Sequence, residues 1–424
     1  MSGATTTVSL SAAALVPVIG ALIADELVLM RRGQHSDSSV DLLKAFNWQA
    51  TTIITLEHRS KGAEQEMIVD SLEWMAIATR VATFFQMHQS GIEDYLLRVH
   101  TLAEWAEVVA KSRELGATDI CFATSGSTGT PKLIVHPWRS LSSEIVFFQQ
   151  YFHSFARPPA RIISLVPAHH IYGFLFSVML PQVLDIPVIR GFSAYATLLN
   201  ATLAAGDLLI TIPALLQQFE RRLLMAPEGV SLVCSTGPSP SEIMQRLQQS
   251  GIVTTEVYGS SETAGIGVRA DPGSHYKLLP RWQRRSDQLL FDTLANADVS
   301  LPDNLQWHDS EHFEPCGRLD LAVSVKGINV FPAEIARKLA QHPQVLNARV
   351  RPMSEQGSRG LKALLIVAAP LSEENESKLI QDIKSWALEQ LSAPELPLHY
   401  HVTTAIPLSD MGKEIDWPLQ ENQI

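Results

Sequence analysis

Asp119-Ile-Cys-Phe-Ala-Thr-Ser-Gly-Ser-Thr-Gly-Thr-Pro-Lys132 is an apolar run that opens into a loop of hydroxyls and glycines closed by a single lysine. The run Asp119 to Thr124 is bounded by turn residues and reads as a buried strand feeding the loop. Thr124, Ser125, Gly126, Ser127, Thr128, Gly129 and Lys132 together have the composition of a phosphate site. Glycines let backbone N–H groups converge on phosphate oxygens, the hydroxyls add short donors, and Lys132 adds a positive charge. The Walker spacing, four residues between glycines and then Gly-Lys-Ser/Thr, is not met. Pro131 removes a donor and holds Thr130 out of helical geometry, so the loop reads as an exposed flap rather than the tight start of a helix. Taken by itself, the same stretch also reads as a Ser/Gly-rich surface turn.

Outward from the loop, the pattern is α/β. Short apolar runs at Ile162–Val166, Leu208–Ile212, Leu232–Cys234 and Thr254–Val257 read as strands, with helical patterns at Pro213–Leu224 and Pro240–Gln249 between them. This alternation predicts a mainly parallel, helix-covered sheet. Ser239 is placed to cap the second of those helices and Gly251 to end it. Residues 1–118 contain helical stretches such as Asp70–Phe85, where apolar residues recur every three or four positions. After Arg318 a smaller unit predicts helices at Ala333–Gln341 and Asn375–Leu391 and strands near Arg349, Leu364 and Val402, a compact α+β domain of roughly a hundred residues. The expected organisation is a large N-terminal α/β domain over 1–319 and a small, mobile α+β domain over 320–424.

Composition agrees with two domains. A chain of 424 residues, 46% of them hydrophobic, exceeds the size at which single cores usually split. Lys plus Arg total 33 against 44 Asp plus Glu, a formal charge of −11, which argues against a general nucleic-acid surface and leaves phosphate recognition to local groups. Cys121, Cys234 and Cys316 are too dispersed for a disulfide framework or structural zinc and read as small buried thiols in a reducing cytoplasm. The histidines show no metal-helix spacing and no Gly-x-Ser-x-Gly elbow occurs, so zinc and serine hydrolase readings lose their support. The apolar stretch Leu10–Met30 is interrupted by Asp25 and Glu26 and lacks a preceding basic residue, so a buried helix in a soluble protein is expected.

Further motifs follow in a fixed order. They are Pro167-Ala-His-His170-Ile-Tyr172, Ser235-Thr236-Gly237-Pro238-Ser239, Tyr258-Gly259-Ser-Ser261-Glu262, Gly317-Arg318-Leu-Asp320, Lys326-Gly327 with Pro332-Ala-Glu334-Ile335, and Pro407 to Gly412-Lys413. With Thr124–Lys132, this series resembles the adenylate-forming superfamily of acyl-CoA synthetases, aryl-acid ligases, adenylation domains and luciferases. The resemblance runs from residue 124 to 413. It implies that a carboxylate attacks the α-phosphate of ATP, that pyrophosphate leaves, and that the acyl-adenylate passes to the thiol of CoA or of the phosphopantetheine on an acyl carrier protein. An anion must then approach a polyanion, so the site needs cations and aligned donors more than a strong base.

By the same resemblance, Glu262 holds Mg²⁺, Ser261 donates to the α-phosphate where threonine is usual, and Lys413 bridges the acyl carboxylate and the phosphate. Ser235 to Pro238 lies along adenine, Tyr258 stacks on it beside Gly259, and Asp309 supported by Arg318 takes the ribose hydroxyls. His170, Tyr172 and Gly173 line the acyl pocket, and His169 is left without a role. Asp320 is the hinge on which the small domain turns to present Lys326, Gly327 and Asn329 to the thiol, with Gly327 admitting the narrow pantetheine arm.

Several positions depart from the family pattern. Trp307-His308-Asp309 stands where Thr-Gly-Asp is usual, only eight residues separate Asp309 from Arg318, and Asp416 follows Lys413 where a basic residue is frequent. The segment before the loop is short, as in compact members of the family that act on small or aromatic acids in secondary metabolism, including aryl-polyene and pigment pathways. The Leu102-Ala-Glu-Trp105 segment is similar to that group. An adenylating enzyme without a thiol step, a noncatalytic scaffold of the same family and an ordinary nucleotide hydrolase stand as alternatives.

Overall fold

The computed structural model describes residues 8–31, 48–56, 65–124, 132–319, 322–353, 360–407 and 416–417. These form two compact units. The first takes the described residues up to Thr124, Leu133–Ser235 and Ser239–Pro315; the second takes Lys132, Thr236–Pro238 and the described residues from Cys316 onward.

Nine strands make one sheet, belonging to the first unit up to Pro315 within the last of them: β1 (Arg161–Ser164), β2 (Val188–Ile189), β3 (Asp207–Thr211), β4 (Ser231–Cys234), β5 (Val253–Ser260), β6 (Ala264–Arg269), β7 (Tyr276–Leu278), β8 (Asp303–Trp307) and β9 (His312–Arg318). Their order across the sheet is β8-β9-β7-β6-β5-β4-β3-β1-β2. Neighbours from β2 to β5 are parallel. Every residue of β3 and of β4 is buried, as expected of strands covered on both faces. The helices between them include Pro213–Leu223, which starts on a proline whose missing N–H costs nothing at that position. The sheet is less parallel than the sequence pattern predicts: β5, β6, β7 and β9 pair antiparallel. Short turns join β5 to β6 and β6 to β7, whereas residues 279–311, which carry β8 and a separate three-stranded sheet, lie between β7 and β9; no crossover helix occurs in this half of the sheet.

The apolar stretch near the start is the helix Ala12–Met30, capped by Ser11. By length and composition it could cross a membrane. In the fold it packs on the helices Ser71–Phe84 and Leu102–Glu114 and buries Leu15, Val18, Ile19, Leu22, Ile23 and Leu27. The two partner helices begin with reciprocal capping boxes, Asp70 with Glu73 and Thr101 with Glu104, each satisfying two orphan N–H groups. Ser239 does not cap the helix Ser241–Gln249; that position falls to Pro240, and Ser239 is instead buried with its hydroxyl on the Cys234 thiol. Cys121 and Cys234 are buried, whereas Cys316 is exposed on β9 and departs from the expected buried thiol.

The second unit is built on a three-stranded sheet of Asn347–Pro352, Leu361–Ile366 and His399–Thr403, the first pair antiparallel and the second parallel. The helices Pro332–Leu339 and Glu373–Gln390 belong to it, and Ile335, Leu339, Leu365, Ile383 and Tyr400 fill its core.

Candidate active site

The Tyr258–Glu262 motif sits at the carboxyl end of β5 and in the three-residue turn to β6. Ser260 organises that turn: its Oγ accepts from the backbone N–H of Glu262 and of Thr263, each at 3.2 Å, and lies 3.0 Å from Thr263 Oγ1. Ser261 and Glu262 are left half-buried at the apex. Gly259 has a steric cause: a Cβ there would lie 2.1 Å from the carbonyl oxygen of Ala264, which itself takes φ of 58°. Its place in the motif follows from the closeness of β5 and β6.

Buried charge supports the turn from below. Arg281 donates to the carbonyl of Thr263 and stands 3.9 Å from both the Glu144 and Asp292 carboxylates. Glu144, from the helix Trp138–His153, accepts the backbone N–H of Gly265 at 3.0 Å. A Cβ at Gly265 would meet Glu144 Oε1 at 2.3 Å, so only glycine admits this contact. Burial raises the Glu144 pKa, partly offset by Arg281 and the Gly265 N–H; burial lowers that of Arg281, offset by Glu144 and Asp292.

Thr124 ends the strand Ile120–Thr124, and Lys132 begins the strand Lys132–His136 with an exposed side chain; the two strands form their own sheet. Ser125, Gly126, Ser127, Thr128 and Gly129 lie outside the described residues. The second strand ends on His136, whose Nε2 is 2.7 Å from the carbonyl oxygen of Ser261. A carbonyl only accepts, so Nε2 carries the hydrogen. Burial holds the His136 pKa down against that bond, with Arg281 lowering it further and Glu262 and Asp292 opposing. His136 thus ties the strand Lys132–His136, which follows the Ser/Gly-rich segment, to the Ser261–Glu262 turn. Sequence reading missed it, because the contact spans 125 positions and no motif marks it.

Tyr258 is held by its hydroxyl, which donates to Asp303 Oδ2 on β8, and its ring stands 5.6 Å from those of Tyr276 and Phe313. Asp303 is buried. Asp309, the expected ribose ligand, is used otherwise: its carboxylate accepts the backbone N–H of Glu311 and of His312, both at 2.7 Å, and meets His312 Nδ1 at 2.8 Å. Those bonds hold its pKa down at about 2 and make it the organiser of the β8–β9 turn. The carboxylate beside Tyr258 is therefore Asp303, on a strand whose pairing is visible only in the fold.

After β4, Ser235 is buried and Thr236 adopts φ of 83°, an uncommon conformation for a β-branched residue, with Gly237 and exposed Pro238 following. Within the second unit, Ser324 Oγ donates to the Thr236 carbonyl at 2.8 Å. Lys326 and Gly327, with φ of 51° and 82°, form the two-residue tip of the hairpin Val323–Val325 and Ile328–Val330. Positive φ at both tip positions is what such a turn requires, and this accounts for Gly327 without a ligand arm. Asn329 is half-buried opposite Ser324. Arg318 closes β9 after Gly317, whose φ is 117°. Asp320 and Lys413 lie outside the described residues.

The expected acyl-pocket residues separate. Tyr172 is buried, with its hydroxyl 2.8 Å from the Val233 carbonyl and 3.1 Å from that of Thr211, so it pins β3 to β4 rather than lining a pocket. Gly173 is dictated by packing, since a Cβ would sit 2.0 Å from the Pro167 carbonyl oxygen. His170, preceding the short helix Ile171–Phe174, is solvent-accessible in densely packed surroundings whose desolvation lowers its pKa.

β1, β3, β4 and β5 run parallel and end along one edge, where open α/β sheets take their ligands, and the Ser235 turn and the Ser261–Glu262 turn both lie there. The class is that of an α/β ligand-binding enzyme fold. Residues 47–284 match the family described as AMP-binding enzyme. A 4-coumarate–CoA ligase of Halorhodospira halophila is 34% identical over 350 residues, covering 81% of this chain and 87% of the relative. Another, from Rhodobacter capsulatus, is 34% identical over 360 residues, covering 84% and 91%. The solved o-succinylbenzoate CoA synthetase of Bacillus subtilis matches in fold with a TM-score of 0.58 at 17% identity, over 94% of this chain and 91% of that one. The chain belongs to the AMP-binding, adenylate-forming enzyme family, as its motif series implies.

Proposed function

We propose that this chain is an AMP-forming ligase that activates an aryl carboxylic acid with ATP and passes the acyl group to CoA. The observation that carries the reading is the His136–Ser261 contact, which draws the strand leaving the Ser/Gly loop onto the Ser261–Glu262 turn. In the first step a carboxylate oxygen bonds to the α-phosphorus and pyrophosphate leaves with the electron pair of the broken P–O bond. In the second a thiolate adds to the acyl carbon and AMP leaves. Ser261 donates to the α-phosphate, and Glu262 supplies the protein carboxylate for Mg²⁺. A lone carboxylate suits this ion, which takes one or two carboxylates plus substrate phosphates and water. No cluster of three or more metal-ligating side chains occurs among the described residues. Glu262→Gln keeps shape but loses charge, so turnover is expected to fall and to recover partly as Mg²⁺ is raised. An unchanged metal dependence removes Glu262 from the metal.

Tyr258 offers its ring to adenine, a contact of about 0.5–1.5 kcal/mol beyond burial. Asp303, through its place on the Tyr258 hydroxyl, takes the ribose role given earlier to Asp309. Asp303→Ala is expected to raise the KM for ATP at least about tenfold, the scale of a lost charge-assisted hydrogen bond, and Asp309→Ala to leave it within about twofold. Steady-state kinetics decide, and the opposite ranking returns the role to Asp309.

The functional boundary falls at 319/320. Asp320 is the hinge, and rotation of the small domain withdraws Lys413 and presents Lys326, Gly327 and Asn329 to the thiol, one site running two half-reactions. Asp416, the unusual residue after Lys413, supports this division. It is 2.7 Å from Lys362 Nζ, which also donates to the Trp417 carbonyl at 2.6 Å, and Arg351 reaches it at 3.4 Å. Burial raises the Asp416 pKa, but the bond and charge of Lys362 outweigh it and the net shift is downward. The clamp's stabilisation is therefore complete above the unfolded carboxylate value of about 3.9 and lost as pH falls through the lower folded value. Three residues span at most about 11 Å, so the clamp limits where Lys413 can stand. Lys362→Met should slow adenylate formation about tenfold or more and spare thioester formation from supplied acyl-adenylate, by the same positioning logic through which small displacements lower rates. Equal loss in both half-reactions would falsify the positioning role.

CoA is the preferred acceptor because the relatives with a third of their residues identical are CoA ligases; a carrier-protein phosphopantetheine is the second. Buried Cys121 and Cys234 fit a reducing cytoplasm. The test is pyrophosphate release across a panel of acids with hydroxylamine trapping, followed by competition between CoA and a carrier protein. Aryl-acid-dependent pyrophosphate and a CoA thioester are expected. Release of phosphate without any acid overturns the reading.

A further inference from the structure

Beside Tyr258 the sheet holds a buried ion pair that has no task in the steps above. Arg269 on β6 stands in register with Glu256 on β5, and Gly267 with Tyr258. The Arg269 guanidinium makes a fork on Glu256, Nε to Oε1 at 3.0 Å and Nη2 to Oε2 at 3.1 Å, and the two side chains are 8% and 3% exposed. Its Nη1 donates to Glu314 Oε1 on β9 at 2.9 Å and to the Ser274 carbonyl at 3.2 Å. Its central carbon lies 4.3 Å from the centre of the Tyr276 ring, and the Tyr276 hydroxyl donates to Glu256 Oε2 at 3.2 Å. Burial first, then the Glu256 charge, raise the Tyr276 pKa well above its ordinary value, so that hydroxyl keeps its hydrogen. The Tyr276 ring in turn lies 5.6 Å from that of Tyr258 and 5.8 Å from that of Phe313, with Tyr258 and Phe313 also 5.6 Å apart. A Cβ at Gly267 would meet Phe313 Cζ at 2.7 Å, so the glycine opposite Tyr258 makes room for this trio of rings.

We propose that Arg269 is a positioning residue for the nucleotide: by clamping Glu256 and Tyr276 it fixes the plane of the Tyr258 ring that receives adenine. The inference rests on the reading of Tyr258 as the adenine contact. A tyrosine ring held at its Cβ and, through its hydroxyl, at Asp303 can still turn about the axis joining those two points, because that last torsion is soft. Stacking needs the plane fixed, and the neighbouring rings are what fix it. Tyr276 is the neighbour whose own hydroxyl and face are both held, the first by Glu256 and the second by Arg269. Stability alone gives little reason for such a pair, since apolar residues of similar volume often replace a buried ion pair without loss. A planar guanidinium adds direction: its fork grips a carboxylate at two points while its face covers a ring, which a lysine ammonium cannot do. Adenine is common to ATP, AMP and the acyl-adenylate, so the effect belongs to nucleotide binding rather than to either chemical step.

The test is a double-mutant cycle between Arg269→Lys and Tyr258→Ala, read as the Kd for AMP and the KM for ATP. Tyr258→Ala is expected to weaken AMP binding about twofold to tenfold, the scale of one aromatic contact. Arg269→Lys keeps the charge beside Glu256 but loses the fork and the flat face, and should weaken AMP and raise the ATP KM about threefold, a part of that contact. Its kcat and its KM for the acid should stay within about twofold of wild type, the pattern of lost uniform binding. In the Tyr258→Ala background Arg269→Lys should add no further loss, because the ring it orients is gone. Losses that add in the double variant overturn the inference, being what a residue that only holds the sheet together would give. Unchanged AMP affinity in Arg269→Lys also overturns it, and in both cases the Tyr258 reading stands. A Tyr258→Ala protein that binds AMP as wild type does overturns that reading and this inference together. If Arg269→Lys does not fold, Tyr276→Phe, which removes only the hydroxyl on Glu256, takes its place in the cycle and the same outcomes decide.

Discussion

Replacing Lys413 by alanine is expected to abolish most adenylate formation while leaving thioester formation from supplied acyl-adenylate near the wild-type rate. The argument is electrostatic. When a carboxylate closes on the α-phosphate, two anions meet, and a cation placed between them stabilises the transition state more than the separated substrates. Loss of one preorganised group of this kind raises the barrier by about 2–4 kcal/mol, roughly two to three orders of magnitude in rate. Once the adenylate exists that charge conflict is gone, and in the rotating-domain scheme Lys413 has been withdrawn before the thiol arrives. Acid-dependent pyrophosphate exchange and thioester synthesis from synthetic adenylate, measured separately, check the asymmetry. A thioester rate that drops as far as the exchange rate removes Lys413 from the first step.

Arg281→Met is expected to destabilise the first unit by about 3–5 kcal/mol, the scale on which removing one partner of a buried ionic group leaves the others uncompensated. Arg281 faces Glu144 and Asp292, all three nearly inaccessible to water, and also donates to the carbonyl of Thr263. Methionine fills the volume but leaves two carboxylates without their cation and a turn carbonyl without its donor. The turn concerned carries Ser261 and Glu262, so activity should decline along with stability. Urea unfolding measures the first effect, and the double variant with Glu144→Met should recover part of it, since one stranded carboxylate is removed. A loss below about 1 kcal/mol in Arg281→Met would show that water or rearrangement already screens these charges.

Local chemistry explains which elements could be read without a fold. The helix Ser71–Phe84 announces itself through its periodicity, and β3 and β4 through short apolar runs between turn residues. Periodicity is a property of neighbours in sequence, so it survives in the bare chain. The antiparallel half of the sheet left a fainter trace. Strands such as Tyr276–Leu278 are three residues long, and their place is set by partners rather than by their own pattern. Capping failed at Ser239 for a related reason, because burial against the Cys234 thiol claimed a hydroxyl that local rules would assign to a helix end.

By itself the sequence determined the family, the α/β class and the order of the motifs from Thr124 to Lys413, because residue types at fixed spacings record backbone needs and charges that do not depend on distant neighbours. Only the tertiary structure decided which side chains meet. It joined His136 to Ser261 across 125 positions, set Asp303 rather than Asp309 on Tyr258, turned Tyr172 into a clasp between two strands, and left the His169 ring nitrogens without a hydrogen-bond partner among the described residues. Each of these depends on strand pairing and on which polar atoms burial strips of water. Both are consequences of packing between segments far apart in the chain, and no local pattern encodes them.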